Sequence, residues 1–149
     1  RTCPEARIRE TRRVMGDYVL KFEDIRDARK FDDVIGKSAF PTGAKHAVNG
    51  RALALEHMAV PKDMGSNDIP YRVLVVKGLE NLLVAGKAVS ADRASHQRFL
   101  QQTIVTGQAA GVAAALCARD GITPRQLEEN VSELQEILIS QGAILYGTH

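Results

Sequence analysis

The sequence predicts a mixed α/β chain, α+β when taken by itself, and three stretches carry that prediction. Apolar runs over residues 69–76 and 82–85 each lead into a glycine, the pattern of short sheet strands. An alanine-rich stretch over 103–119 has helical composition, with Gly121 placed to stop it. Two helix starts follow, Thr123-Pro124-Arg125-Gln126 and Ser132 with Gln135, each setting a hydroxyl three residues before a glutamine, as in a capping box.

Taken in order, residues 6–20 alternate with a period of two around Gly16-Asp17 and predict a hairpin. Residues 22–31 place Glu23 and Asp24 early and Arg26, Arg29 and Lys30 late, the order that suits the helix dipole, so a short exposed helix is expected. Val34-Ile35-Gly36 reads as a strand. Residues 38–68 are rich in Pro, Gly and Asn and predict a long loop with one further strand at 52–55. The run 82–85 does not alternate, so it is expected to be buried on both faces as a central strand of a covered, mainly parallel sheet. Residues 103–119 show no polar face before Arg119 and predict an interior helix. In the last helix Leu134, Ile137 and Leu138 share a face, Gly142 ends it, and residues 143–145 pack back on the core.

Composition excludes several classes. At 149 residues, 44% hydrophobic and 26% charged, the chain is ordinary for a globular protein rather than a disordered one. Its longest weakly polar stretch, 109–118, is half of the ~20 residues needed to cross a bilayer, so no membrane partner is expected. A net charge of +2 from 20 basic and 18 acidic residues is too balanced to suggest nucleic acid. Cys3 and Cys117 sit far apart, which suggests neither a disulfide framework nor a zinc site. Cys117 is expected to be a small core residue. The four histidines have no metal-ligand spacing, so no metal is expected. A cytoplasmic setting is the default for such a chain. Arg1 is not an initiator methionine and no signal-like segment follows it, so the chain is expected to be a piece of a longer protein.

Candidate chemistry is concentrated between Asn81 and Gly111. Gly36-Lys37-Ser38 lacks the earlier glycine of a phosphate loop, Phe31 standing in its place. Ser90, Asp92 and His96 lie close together without a nucleophile-elbow pattern. Arg7, Arg9, Arg12 and Arg13 suit either the solvated face of a hairpin or a carboxylate grip. A strand ending at Gly86, followed by a helix opened by Thr106-Gly107-Gln108-Ala109-Ala110-Gly111, would let a ligand approach backbone and offer it N–H groups. Gly107 and Gly111, four apart, suit tight helix packing equally well.

The motifs Arg9-Glu10-Thr11-Arg12-Arg13, Gly16-Asp17-Tyr18, Asp68-Ile69-Pro70-Tyr71-Arg72, Asn81-Leu82-Leu83-Val84-Ala85-Gly86-Lys87, Ser90-Ala91 and Thr106-Gly107-Gln108-Ala109-Ala110-Gly111 occur in an order that resembles the C-terminal part of bacterial FAD-dependent oxidoreductases of the xanthan-lyase-like type. The resemblance covers most of the chain from Arg9 to Gly142. It implies that residues 1–68 end an inserted substrate domain, and that 69–149 return to a Rossmann-like FAD-binding domain, supplying its last strand and C-terminal helices. No G-x-G-x-x-G occurs in the 149 residues, so the pyrophosphate fingerprint would lie elsewhere.

By the same resemblance, Gly86 and Lys87 would lie by the FAD pyrophosphate or ribitol, Lys87 standing where the family commonly has arginine. Thr106, Gly107, Gln108 and Ala109 would turn backbone N–H groups to the flavin pyrimidine edge. The sequence departs from the family pattern between Asp92 and Thr103, a loop that would face substrate, where Arg98 is a candidate anchor and His96 a candidate proton-transfer group. The intact enzyme would pass a hydride between a small organic substrate and FAD. This piece alone would be inactive, would bind FAD weakly or not at all, and would self-associate through uncovered apolar surface. The alternative is a non-catalytic α+β interaction module in which Gly107 and Gly111 serve packing alone.

Overall fold

The computed structural model describes residues 12–43, 47–48, 51–52, 58–95 and 97–147. Within them the mixed helix and strand class stands as expected. The elements are α1 (Phe22–Arg26), β1 (Val34–Ser38), β2 (Thr42–Gly43), β3 (Ala47–Val48), β4 (Arg51–Ala52), β5 (Met58–Ala59), β6 (Asn67–Pro70), α2 (Leu100–Asp120), α3 (Pro124–Glu128) and α4 (Ser132–Ser140). The strands form three antiparallel pairs, β1 with β6, β2 with β5 and β3 with β4.

The core draws on three separated stretches of the described chain. Leu20, Ile25, Val34 and Ile35 from its first third meet Ile69, Tyr71, Leu74 and Val89 from its middle and Leu116, Leu134, Leu138 and Leu145 from its end. Tyr71 is fully buried, and its hydroxyl donates to the Pro124 carbonyl at 3.0 Å, which satisfies its one polar atom and ties the middle of the chain to α3. Gln135 reaches from α4 to the carbonyls of Asp32 and Val34, at 2.8 and 3.0 Å, and so fastens α4 to the start of β1.

Two expected elements take other forms. The described half of the predicted hairpin, residues 12–20, does not fold on itself. It threads between two later segments: Val14 N–H donates to Ala88, Asp17 to Val75 and Leu20 to Ser90, with isolated bridges at Gly16–Val76 and Leu20–Ala91. Its alternation is therefore satisfied by distant backbone instead of by a local turn. The other half of that prediction, with Arg7 and Arg9, lies outside the described residues, as do Cys3 and most of the predicted strand at 52–55.

The run 82–85 is the second correction. Instead of a central strand it is extended chain with a single bridge, Leu83 to Val75, flanked by hydrogen bonds from Val76 N–H to Leu82 and from Val84 N–H to Leu74. Among the described residues it is bonded on one side only. Leu82 is accordingly 47% exposed, so the apolar pattern that predicted burial on both faces is half met. The preceding run, by contrast, is buried from Tyr71 to Val76 apart from Arg72, although its regular strand stops at Pro70 and Tyr71–Val73 form a 3₁₀ turn.

Candidate functional site

Helix α2 begins at Leu100, six residues before Thr106. Its first turn is closed by Gln102, whose side-chain oxygen accepts from the Phe99 N–H at 3.2 Å, while its amide nitrogen donates to the buried Ser38 hydroxyl at 2.9 Å. The N–H groups of Thr106, Gly107, Gln108 and Ala109 therefore lie inside the helix, where such groups bond to the carbonyl four residues back. They cannot serve as a helix terminus, and the expected mode of contact through those N–H groups is corrected. The early start carries no sequence signal, because Phe99 is not a capping residue type and Gln102 does the capping from within. At the other end Gly121 takes the left-handed conformation (φ 66°) and stops the helix as expected.

The same helix is not interior. Gln102, Thr106, Ala109, Ala113 and Leu116, spaced three or four apart as one helical face requires, form its buried stripe with Cys117 beside them. Gly107, Gly111, Ala114 and Ala115 lie on the exposed side, and Leu100 and Ile104 are 71% and 59% exposed. An apolar composition all round predicted burial all round, but small residues leave too little surface to force it. A methyl group added at Gly107 or Gly111 would meet nothing within 4 Å, so neither glycine serves packing among the described residues. An open groove of about 740 Å³ runs along this helix from Ala110 to Gly121, with Leu83 on its opposite wall. Cys117 lies in its floor, buried, and that burial raises its thiol pKa.

Gly86 and Thr106, twenty residues apart, meet directly. The Gly86 N–H donates to Thr106 Oγ1 at 3.0 Å, and the fully buried Thr106 hydroxyl donates in turn to the Gln102 carbonyl at 2.9 Å. Gly86 has φ +69°, the left-handed region that favours glycine, and opens a 3₁₀ turn, Gly86–Ala88. Among the described residues a methyl group there would have only Thr103 Cγ2 within 4 Å, at 3.9 Å. The backbone at this turn is thus hydrogen-bonded to α2 on one side and, among the described residues, open on the other. Lys87, the next residue, is exposed.

The other predicted site residues have separate places. The Gln108 amide donates to Gln141 Oε1 at 2.9 Å, joining α2 to the end of α4. Ala109 is fully buried in the core. Arg98 lies just before α2 with its guanidinium 5.6 Å from the centre of the Phe99 ring, and His96 lies outside the described residues. Asp92 holds the local backbone together. One of its carboxylate oxygens accepts from the Phe22 N–H at 2.9 Å, and the other accepts from both the backbone N–H and the hydroxyl of Ser95. With Asp92 so engaged and Ser90 fully buried, their proximity in sequence is no catalytic arrangement.

Two features had no counterpart in the sequence reading. One is the close approach of Gly16 to residues 72–75 and 90, which no local pattern signals. The other is a cluster of Lys30, Lys37 and Asp68, assembled only by the register of β1 and β6. Among the described residues no helix is long and apolar enough to cross a membrane, and no three His, Cys, Asp or Glu side chains gather where they could hold a metal ion.

The model of a protein family described as FAD dependent oxidoreductase matches residues 1–138. No curated protein and no solved structure matches the chain.

Proposed function

The chain belongs to the FAD dependent oxidoreductase family, and on that premise we propose that it supplies the closing part of a flavin site in an enzyme that passes a hydride between a small organic substrate and FAD. The hydrogen bond from Gly86 N–H to Thr106 Oγ1 carries this reading. It fixes a left-handed glycine turn against α2 with open space over the backbone, which is what close approach of a phosphate or a planar ring requires. FAD, when bound, supplies the two-electron chemistry; this chain's residues position it.

In this reading Gly86, its N–H spent on Thr106, lets the pyrophosphate or ribitol come close to the turn by having no side chain, and Lys87 brings a point charge to the phosphates. Thr106 is a positioning residue, its hydroxyl spent on the Gly86 N–H. Gly107 contributes by having no side chain on the exposed face of α2. Gln108 and Ala109 take part through the packing of that helix. Arg98 anchors an anionic group of the substrate, and His96, next but one to it in sequence, moves a proton. Residues 1–68 belong to the end of a substrate domain and 69–149 to the FAD-binding domain, of the xanthan-lyase-like kind.

Since the chain carries no pyrophosphate fingerprint, the contacts that dominate dinucleotide affinity are not supplied by it. The chain by itself is then inactive and binds FAD more weakly than micromolar. A titration followed by flavin fluorescence tests this: a shallow, weak isotherm is expected, and submicromolar binding would overturn the half-site reading.

A further inference from the structure

Helix α3 is held to the middle of the chain by its own side chains and backbone. Arg125 sets its fork on Asp17, Nε to Oδ2 at 2.8 Å and Nη2 to Oδ1 at 3.0 Å, and Nη2 also donates to the Val76 carbonyl at 3.1 Å. Arg125 Nη1 reaches Glu80 Oε1 at 2.7 Å. Tyr71 donates to the Pro124 carbonyl, and Leu127 is buried in the core. Close by, Arg72 sets its own fork on Asp33, Nε and Nη2 lying 2.9 and 3.1 Å from the two carboxylate oxygens.

Glu128, the last residue of α3, is left out of these pairs. Its Oε2 is buried and accepts no hydrogen bond among the described residues. Asp17 and Asp33 act on it as like charges, Arg72 and Arg125 as opposite ones. Tyr71 also senses Glu128, but burial raises the phenol pKa and keeps that group neutral. Three carboxylates, Asp17, Asp33 and Glu80, already share the two guanidinium groups. An ionised Glu128 is then a fourth, with a buried oxygen that no donor reaches. Burial, and then the Asp17 charge, raise the Glu128 pKa above its ordinary 4.5 against the pull of Arg72.

We propose that Glu128 is a proton-operated latch at this junction: neutral, it lets α3 close on Asp17 and on residues 71–76, and ionised, it loosens α3. Thr123 and Pro124, at the start of α3, line the open groove along α2, so release of the latch moves a wall of that groove. A carboxyl whose pKa is raised on folding contributes stability that is fully present below its unfolded pKa and is lost as pH rises through the folded one. The junction therefore loosens as pH rises from 4.5 toward neutrality. The proposal does not depend on the flavin reading, because none of these residues belongs to the Gly86–Thr106 contact.

The test follows amide-exchange protection in the full chain from about pH 5 to about pH 7.5. Leu127 and Asn130 donate their N–H groups to the Thr123 and Leu127 carbonyls. They should lose protection at least about fivefold as Glu128 ionises, the low end for a buried polar atom left without a partner. Glu128→Gln, which cannot ionise, should hold its protection across the range. Equal loss in the variant, weaker protection at neutral pH in the variant than in the unaltered chain, or the same loss at Gln141 at the end of α4 would each overturn the proposal. In the unaltered chain the Glu128 carboxyl carbon should titrate above pH 4.5. A midpoint at or below that value would overturn the latch even if the variant failed to fold.

Discussion

Around Gly16 a methyl group would come within 2.8 Å of Ser90 Cβ, 2.9 Å of the Arg72 carbonyl oxygen and 3.0 Å of that of Val75. Around Gly107 and Gly111 it would meet nothing within 4 Å. The first region, where residues 12–20 thread between 72–76 and 88–91, is finished within the chain: its backbone bonds to both neighbouring segments, and Gly16 and Leu20 are buried between them. The second, the outer face of α2, has the small residues of a contact surface without a contact among the described residues. Glycines that look alike in the sequence thus do opposite work, and the unfinished face adjoins the Gly86–Thr106 contact.

The largest effect expected from this difference is at Gly16. Gly16→Ala should lower unfolding stability by about 3 kcal/mol, because two of the three atoms it would strike are backbone oxygens with little room to move. An unchanged urea midpoint would show that the threaded segment is not held as described. Thr106→Val comes next. It leaves the Gly86 N–H without its acceptor at a cost of about 2 kcal/mol, whereas Thr106→Ser keeps the hydroxyl and should recover most of it. Thermal melts of the two variants make the comparison, and equal melting temperatures would mean that the hydrogen bond does not hold the turn.

The smaller effects lie on the open face. Gly107→Ala should stabilise the fold by about 0.5–1 kcal/mol, since it adds helix propensity where nothing obstructs the methyl group. A loss of stability would mean that the face is occupied. The uncovered face, with Leu100 and Ile104 exposed, also leads us to propose that the chain self-associates. Light scattering should then show species larger than a monomer that Ile104→Glu disperses, and a monomer at all concentrations would contradict this.

What could be read from the sequence was what local chemistry decides. Helix α3 starts where Thr123, Pro124 and Gln126 predict, with Gln126 N–H on Thr123 Oγ1 at 3.2 Å and Thr123 N–H on Gln126 Oε1 at 2.8 Å. Gly121 and Gly142 end their helices with positive φ, and Leu134 and Leu138 face the core. The matching signal at Ser132 and Gln135 failed, because the Gln135 side chain is drawn to the Asp32 and Val34 carbonyls more than a hundred residues away. Helix α2 was legible as a helix but not at its start, where Gln102 supplies the glutamine half of a capping box with phenylalanine, not a hydroxyl residue, at the cap. In the candidate site the sequence marked Gly86 and the Thr106 region as places of close approach, but not that the two meet each other. The N–H groups expected to face a ligand lie inside α2, and it is the Thr106 hydroxyl, accepting from the Gly86 N–H, that links the two regions.

The central claim is that the Gly86–Thr106 junction is half of a flavin site. It is tested most directly by recording amide shifts across the chain as FAD is added until the weak isotherm levels off. The account predicts shifts gathered at Gly86, Lys87 and the exposed face of α2 around Gly107, with the Lys30 and Asp68 amides unmoved. Shifts absent from Gly86 and Lys87, or gathered elsewhere, would contradict it.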